Sequence, residues 1–252
     1  MALSKAKIKL IRSLEQKKHR KEHQLFVAEG PKLIDELIGH FTCELILATP
    51  DWIQNHSNYT ANEIITVTEQ ELYKASTLKT PQQVIALFKQ PQYSFKNSII
   101  SSSLCLALDG VQDPGNLGTI IRLADWFGIE HIFCSPDTVD VYNTKTIQAT
   151  MGGLARVKVH YTSLRELIEA NPQAPIYGTF LDGENLYDEK LNQKGLIIMG
   201  NEGNGISEDL RKVVTHKLYI PNYPLNKESA ESLNVAIATA VVCAEFRRQA
   251  LL

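Results

Sequence analysis

The sequence predicts two α/β domains, the second built on a parallel sheet with helices on both faces. Two patterns predict this. Short apolar runs of buried-strand length alternate with stretches whose apolar residues recur at helical spacing. A Ser-rich, weakly patterned stretch, Pro91 to Ser103, divides that alternation and reads as a linker. The composition adds that the chain is globular: 252 residues, 44% hydrophobic, can bury a core in one large domain or two modest ones.

The first 23 residues are basic. Lys5, Lys7, Lys9, Arg12, Lys17, Lys18, Arg20 and Lys21 stand against Glu15 and Glu22, a local charge of +6, and the remainder carries −8, which together make the formal −2. A basic arm on an acidic body suggests a polyanionic partner. Leu3, Leu10, Ile11 and Leu14 recur on one helical face, so the arm packs as well as binds. Leu25–Ala28, Cys43–Ala48, Glu63–Val67 and Val84–Phe88 read as buried strands. Pro31 opens a helix at its first turn, Leu33, Ile34, Leu37 and Ile38 line it, and Gly39 ends it.

After the linker, six runs read as strands: Leu104–Leu108, Ile132–Phe133, Val157–His160, Pro175–Thr179, Leu196–Met199 and Lys217–Ile220. The first leads into Asp109 and Gly110, then a turn at Asp113-Pro114-Gly115-Asn116. Leu117, Ile120, Ile121, Leu123, Ala124 and Phe127 then follow at helical spacing up to Gly128. Such a unit places Asn116 and Arg122 at the carboxyl edge of a sheet, where α/β proteins bind ligands. The last helix is expected from Ser232 to about Leu252, apolar along Leu233, Ile237, Ala240, Val241 and Ala244, with Ser232 and Asn234 as candidate caps.

Several function classes are set aside. A dinucleotide fold needs G-x-G-x-x-G after its first strand, whereas Gly200, Gly203 and Gly205 have another spacing and come late. Pro114-Gly115-Asn116-Leu117-Gly118 lacks the Lys-Ser/Thr of a P-loop. Cys43, Cys105, Cys134 and Cys243 show no metal spacing and read as reduced, mostly buried thiols. No apolar run reaches membrane-span length and the N-terminus lacks a signal peptide's apolar core, so the expected location is cytoplasmic.

Three segments carry a specific likeness. They are Leu108 to Gly128, Ile197 to Ser207 (IIMGNEGNGIS), and Tyr219-Ile220-Pro221 followed by Glu231-Ser232-Leu233-Asn234-Val235-Ala236. In this order they resemble the three motifs of the SpoU/TrmH family of RNA ribose 2′-O-methyltransferases, of the SPOUT superfamily. The resemblance covers about Leu104 to Arg248. It implies a SPOUT domain over residues 104–252 with a deep trefoil knot, a rare exception among folds. It also implies S-adenosylmethionine held in the knotted loops and a homodimer paired across that region. Residues 1–92 resemble, less closely, the family's RNA substrate-binding domain, with Glu29-Gly30-Pro31-Lys32 matching its pattern, and residues 93–103 would link the two.

Methyl transfer from a sulfonium needs no metal, so none is expected. It needs a weakly acidic 2′-hydroxyl aligned and its oxyanion character stabilised. The resemblance assigns that role to Arg122, in some members as general base. A guanidinium is effectively never deprotonated in proteins, so holding the neighbouring phosphate and stabilising the oxyanion is the less strained role. Asn116 would orient Arg122 or the ribose. Glu202 would anchor Arg122 or a loop of the partner subunit. Ser232 and Asn234 match active-site or structural positions. The resemblance puts the cofactor against Gly200, Asn201, Gly203, Ile220 and Leu233, with Thr179 and Leu181, after another strand, lining the same pocket. The third motif departs from the family: Asn222 replaces Met, Pro224 and Leu225 stand near a missing Gly, and the loop Tyr223 to Glu231 is longer, which changes how it closes on the cofactor. The expected activity is 2′-O-methylation of ribosomal RNA. The alternatives are a tRNA 2′-O-methyltransferase and a catalytically silent RNA-binding assembly factor.

Overall fold

The structure is a computed structural model that describes residues 3–96, 98–224 and 232–251. The chain divides into two compact units, Met1–Gln92 with Asp140–Ala155, and Tyr93–Val139 with Arg156–Leu252.

The first unit holds a four-stranded sheet of β1 (Leu25–Glu29), β2 (Cys43–Ala48), β3 (Glu63–Thr66) and β4 (Val84–Lys89). Their order is β1-β4-β2-β3, with β3 parallel to β2 and β4 antiparallel to both its neighbours. The helix Pro31–Leu37 starts with its Pro in the first turn, as the sequence predicts. The basic arm forms two helices, Lys5–Ser13 and Lys17–His23. Leu3, Ile11 and Leu14 are buried in one cluster with Val27, Leu45, Leu47, Ile85 and Leu87. One cation of the arm is not a surface charge. Arg20 is 2% exposed. Its Nε and Nη2 donate to Asp140 Oδ2 at 3.0 and 2.6 Å, and its Nη1 to the carbonyls of Leu14 and Glu15 at 2.8 and 2.7 Å. Lys7 is likewise paired, with Glu63. The exposed cations are Lys5, Lys9, Arg12, Lys17, Lys18 and Lys21.

The second unit is a six-stranded, wholly parallel sheet of β5 (Leu104–Leu108), β6 (His131–Cys134), β7 (Lys158–Tyr161), β8 (Ile176–Asn185), β9 (Gly195–Met199) and β10 (His216–Tyr219). Their order is β10-β8-β9-β5-β6-β7. Every residue of β5 and β9 is buried, as strands covered on both faces must be. On one face Cys105, Ala107, Ile176, Leu196 and Ile198 pack with Leu164, Leu167 and Leu210. On the other, Tyr177 meets Phe246 of the last helix edge-on, ring centroids 4.9 Å apart. Phe95 and Ile99 pack on the first of these faces and Ile100 is fully buried, so the stretch expected as a linker also supplies core side chains. All four cysteines are buried free thiols. Burial pushes Cys43 and Cys105 up to about 11 and Cys243 up to about 12, and raises Cys134 as well.

Candidate active site

The sheet order locates the site. From β5 the chain steps outward to β6 and β7, then crosses to place β8, β9 and β10 on the other side. The order therefore reverses between β5 and β9, and ligands of open parallel sheets bind at the carboxyl ends beside such a reversal. The first two candidate segments leave the sheet there, after Leu108 of β5 and Met199 of β9, which are paired neighbours.

After β5, Asp109 and Gly110 leave the sheet. Gly110 N donates to Ser135 Oγ at 2.8 Å, and Asp109 Oδ2 accepts from Ser207 N at 2.7 Å. Asp113 is not a turn residue but a helix cap: its Oδ1 accepts from Asn116 N at 2.8 Å. The helix runs Pro114–Trp126, so Pro114, Gly115 and Asn116 form its first turn, which the sequence pattern reads as a separate turn. The correction has a simple cause: Asp then Pro favours a turn and a helix start equally.

After β9, the loop closes on itself. Asn201 and Gly205 exchange backbone hydrogen bonds at 2.9 Å in each direction. A Cβ on Gly200 would lie 2.2 Å from the Gly205 carbonyl carbon, so only glycine fits there. Gly203 has no such neighbour, Asn201 Oδ1 at 3.6 Å being the nearest atom to a built Cβ, so close approach does not explain it. The Asn201 side chain is fully engaged in shaping the loop: Nδ2 donates to Gly110 O at 2.7 Å, and Oδ1 accepts from the amides of Gly203 and Asn204 at 2.9 and 3.0 Å.

Three of the five predicted catalytic side chains meet. Asn116 Nδ2 donates to Glu202 Oε1 at 2.9 Å, and Asn234 Nδ2 donates to Asn116 Oδ1 at 3.0 Å. Glu202 also accepts from the amides of Gln112 and Asp113 at 3.2 and 3.3 Å. Partial desolvation works against the charged carboxylate, but these bonds from Asn116, Gln112 and Asp113 and one from its own amide outweigh it and hold the pKa below the ordinary value. Glu202 does not anchor Arg122, contrary to one sequence expectation, and Asn116 bonds Glu202 and Asn234, not Arg122. Six residues separate Asn116 from Arg122, about 120° around a helix, so the two point apart. Arg122 instead shares an exposed stripe with Thr119 and Trp126, the last 82% exposed. It has no hydrogen-bond or ion-pair partner among the described residues.

Ser232 is exposed and precedes the last helix, which runs Val235–Ala250. The cap is Asn234, whose Oδ1 accepts from Ala236 N and Ile237 N at 2.9 and 3.3 Å, so the choice between the two candidate caps goes to Asn234. Thr179 and Leu181 do not follow a strand, as expected, but lie within β8. There the pairing with β10 jumps: Lys217 pairs Gly178 while the next residue, Leu218, pairs Glu184. Residues 179–183 thus leave the ladder, and Leu181 is 75% exposed. Ile220 is half-buried just beyond β10, and Leu233 is 51% exposed beside the cap. Of the loop Tyr223 to Glu231, residues 225–231 lie outside the described ones, and with them the expected change in closure over the cofactor.

Sequence reasoning missed the braces under the first segment. Ser135 Oγ donates to Asp137 Oδ1 at 2.5 Å while receiving Gly110 N, and Thr138 Oγ1 donates to Leu108 O at 3.1 Å. A Ser-x-Asp-Thr turn is ordinary loop chemistry in sequence, and no signal there ties it to residues 25 positions away. One potential metal-ligating triad exists among the described residues, His19, Glu22 and His23 on the helix Lys17–His23, in the first unit.

Residues 103–244, more than half of the chain, match the SpoU rRNA Methylase family. The chain belongs to that family. Residues 5–86 match the MRM3-like substrate binding domain. The 23S rRNA (guanosine(2553)-2′-O)-methyltransferase RlmP of Bacillus subtilis is 29% identical over 96% of each chain. A TrmH-family protein from Porphyromonas gingivalis is 39% identical, superposes with a TM-score of 0.89 and covers 99% of this chain and 100% of its own. An rRNA methyltransferase from Sinorhizobium meliloti, crystallised with S-adenosylmethionine bound, is 31% identical with a TM-score of 0.84 over 100% and 97% of the two chains. In this SpoU-family member, then, the first two motifs flank the strand-order reversal, and the third is tied to the first by the Asn234–Asn116 bond.

Proposed function

We propose that this protein transfers the methyl group of S-adenosylmethionine to a ribose 2′-hydroxyl of ribosomal RNA. The observation that carries this reading is the junction of Asn116, Glu202 and Asn234, one residue from each motif, made at the first turn of the helix that presents an exposed Arg122 with no hydrogen-bond or ion-pair partner among the described residues. An arginine exposed at such a site, without a partner among the described residues, is available to a phosphate or a developing oxyanion. The relatives named for 23S rRNA methylation support the substrate class.

The residues present fit the donor. The loops after β9 and β10 and the excursion of β8 belong to three adjacent strands, in the order β10-β8-β9. The half-exposed Leu233, the exposed Leu181 and the half-buried Ile220 offer apolar surface for an adenine, and Thr179 and the carbonyls of Gly200, Asn201 and Gly203 offer polar contacts, the amides of Asn201 and Gly203 being bonded within the loop. When bound, the donor supplies a methyl group activated by its sulfonium charge. Arg122 holds the phosphate next to the target ribose and stabilises charge on the 2′-oxygen as its proton leaves. Asn116 is fixed from both ends, by Glu202 and Asn234, and so holds the first turn of the helix that carries Arg122. Ser232, exposed and just before Asn234 in the chain, offers a further polar contact for the ribose.

In the same reading residues 104–252 form the knotted SPOUT domain, two copies pair through it, residues 93–103 link it to residues 1–92, which bind the RNA, and the protein works in the cytoplasm. No helix among the described residues is long and apolar enough to cross a membrane. Mass-spectrometric mapping of ribose methylation, in RNA from cells with and without this protein, tests the function. One 2′-O-methyl group should vanish from ribosomal RNA. Loss from tRNA alone would move the substrate class, and an unchanged map would leave the protein a silent RNA-binding factor.

A further inference from the structure

The excursion of β8 is held on one side by charges that the catalytic reading does not use. The Phe180 ring has Arg211 Cζ 4.6 Å from its centroid on one hand and Lys217 Nζ 5.6 Å on the other. Asp182, two residues on, pairs with Arg211 Nη2 and lies 3.8 Å from Lys217 Nζ. The same two cations therefore hold two alternate residues of one extended stretch. Phe180 is also packed on the buried cluster that contains Ile206 and Leu210, at the far end of the second motif's loop.

Geometry then divides the stretch. Along an extended chain successive side chains point to opposite sides. With Phe180 and Asp182 turned toward Arg211 and Lys217, Thr179 and Leu181 are turned away from them. Gly183 completes the arrangement: a Cβ there would lie 2.7 Å from the Leu218 carbonyl carbon, so the chain rejoins β10 at closest approach. The five residues are pinned at both ends and by alternate side chains between.

We propose that Phe180, Asp182, Arg211 and Lys217 form a clamp that positions the 179–183 excursion for the methyl donor, and that Arg211 and Lys217 are positioning residues for donor affinity. This rests on the cofactor reading above. An isolated exposed ion pair or cation–ring contact stabilises a fold only slightly. Together, the same contacts remove the freedom of a five-residue stretch before the donor arrives, which lowers the ordering cost of binding.

The test is calorimetry of S-adenosylmethionine and S-adenosylhomocysteine binding to the full chain, as wild type, Arg211→Ala, Lys217→Ala, the double variant, Asp182→Asn and Arg211→Lys. Steady-state methylation is measured alongside, on ribosomal RNA from cells lacking the protein. The double variant should bind both ligands about tenfold more weakly, each single Ala variant about threefold, while kcat at saturating donor and KM for RNA hold. Arg211→Lys, which keeps a cation over the ring, should recover most of the affinity, a rescue that a bystander arginine would not show. Asp182→Asn should weaken binding in the wild type and much less once Arg211 is already Ala. A double variant that binds as tightly as wild type overturns the clamp, as does a fall in kcat at unchanged affinity. Wild-type protein that binds neither ligand overturns the cofactor reading and the clamp with it, an outcome visible before any variant is compared.

Discussion

Asn116 donates its side-chain amide to Glu202 at 2.9 Å, a bond that joins the first and second motifs across 86 residues of sequence. Asn234 closes the arrangement from the third motif, at 3.0 Å to the other end of the same amide. Asn116 is the only one of the three that touches both others, and its amide offers the donor and the acceptor that the junction needs. Asp in its place would set a second carboxylate against Glu202, and Ala would leave two polar ends unpaired.

Replacing Asn116 should therefore act through geometry. Asn116→Ala should cut methyl transfer by about 10²-fold or more, while donor affinity, set by other loops, stays within about threefold. Asn116→Asp should be at least as poor, through like-charge repulsion with Glu202. Steady-state kinetics on ribosomal RNA and donor calorimetry check both numbers.

Glu202 links this junction to pH. Its pKa in the folded protein lies below the ordinary value of 4.5, so the unfolded chain takes up the proton first as pH falls. The carboxylate then contributes stability that is present above pH 4.5 and is lost as pH falls through the lower folded-state value. Thermal melts of wild type and Glu202→Gln should differ at pH 7 and converge below about pH 4. A difference that is the same at every pH would remove the charge from this account.

Arg122→Ala should abolish methyl transfer with little change in donor binding, since its exposed guanidinium makes no hydrogen bond or ion pair among the described residues. Loss of one preorganised donor to a developing oxyanion costs about 3–4 kcal/mol, or 10²–10³ in rate. Arg122→Lys separates two roles: it should recover much of the rate if charge alone matters, and stay near Ala if bidentate phosphate holding matters. Folding should be unaffected by either change, because the side chain is exposed. A saturating methylation assay with near wild-type turnover in Arg122→Ala would end its catalytic assignment.

The basic arm calls for a finer test than removal of residues 1–23. Deleting them would take Ile11, Leu14 and the Arg20–Asp140 pair out of a core. Changing Lys5, Lys9, Lys17, Lys18 and Lys21 to Gln leaves that core intact. RNA binding should weaken, and the logarithmic salt slope should fall by about 0.7–0.9 for each phosphate no longer engaged. An unchanged slope would make these lysines a solvated helix face. By contrast, Asp140→Ala strands a buried guanidinium and should cost about 3–5 kcal/mol in denaturant unfolding.

Pairing of two copies should depend on the exposed apolar side chains beside the site. Trp126 is 82% exposed, one helical turn beyond Arg122, and Ile237 is 55% exposed on the last helix. The two helices pack together, and Arg247 of the last one caps the end of the other through Phe127 O at 2.7 Å and Gly128 O at 3.1 Å. Trp126→Glu should convert a dimer to a monomer in light scattering and lower methylation with it. A stable, active wild-type monomer would sink the dimer.

The sequence by itself determined the family and most of the strands, though it read Glu63–Val67 as a buried strand where β3 is an exposed sheet edge. Apolar runs such as Leu104–Leu108 and Cys43–Ala48 appear as strands over the same residues, because a short, continuous apolar run has no better use than a strand buried on both faces. The three motifs were legible because their glycines and polar residues sit where local backbone demands them, as at Gly200. Tertiary structure alone decided the rest. It chose Asn234 over Ser232 as the cap, turned Asn116 and Glu202 toward each other and left Arg122 to solvent. It also buried Arg20, which sequence counts as one more surface charge. The Asn116–Glu202 and Arg20–Asp140 pairings depend on partners 86 and 120 residues away. Local propensity is blind to pairings at that separation, since only the folded chain brings such partners within hydrogen-bond reach.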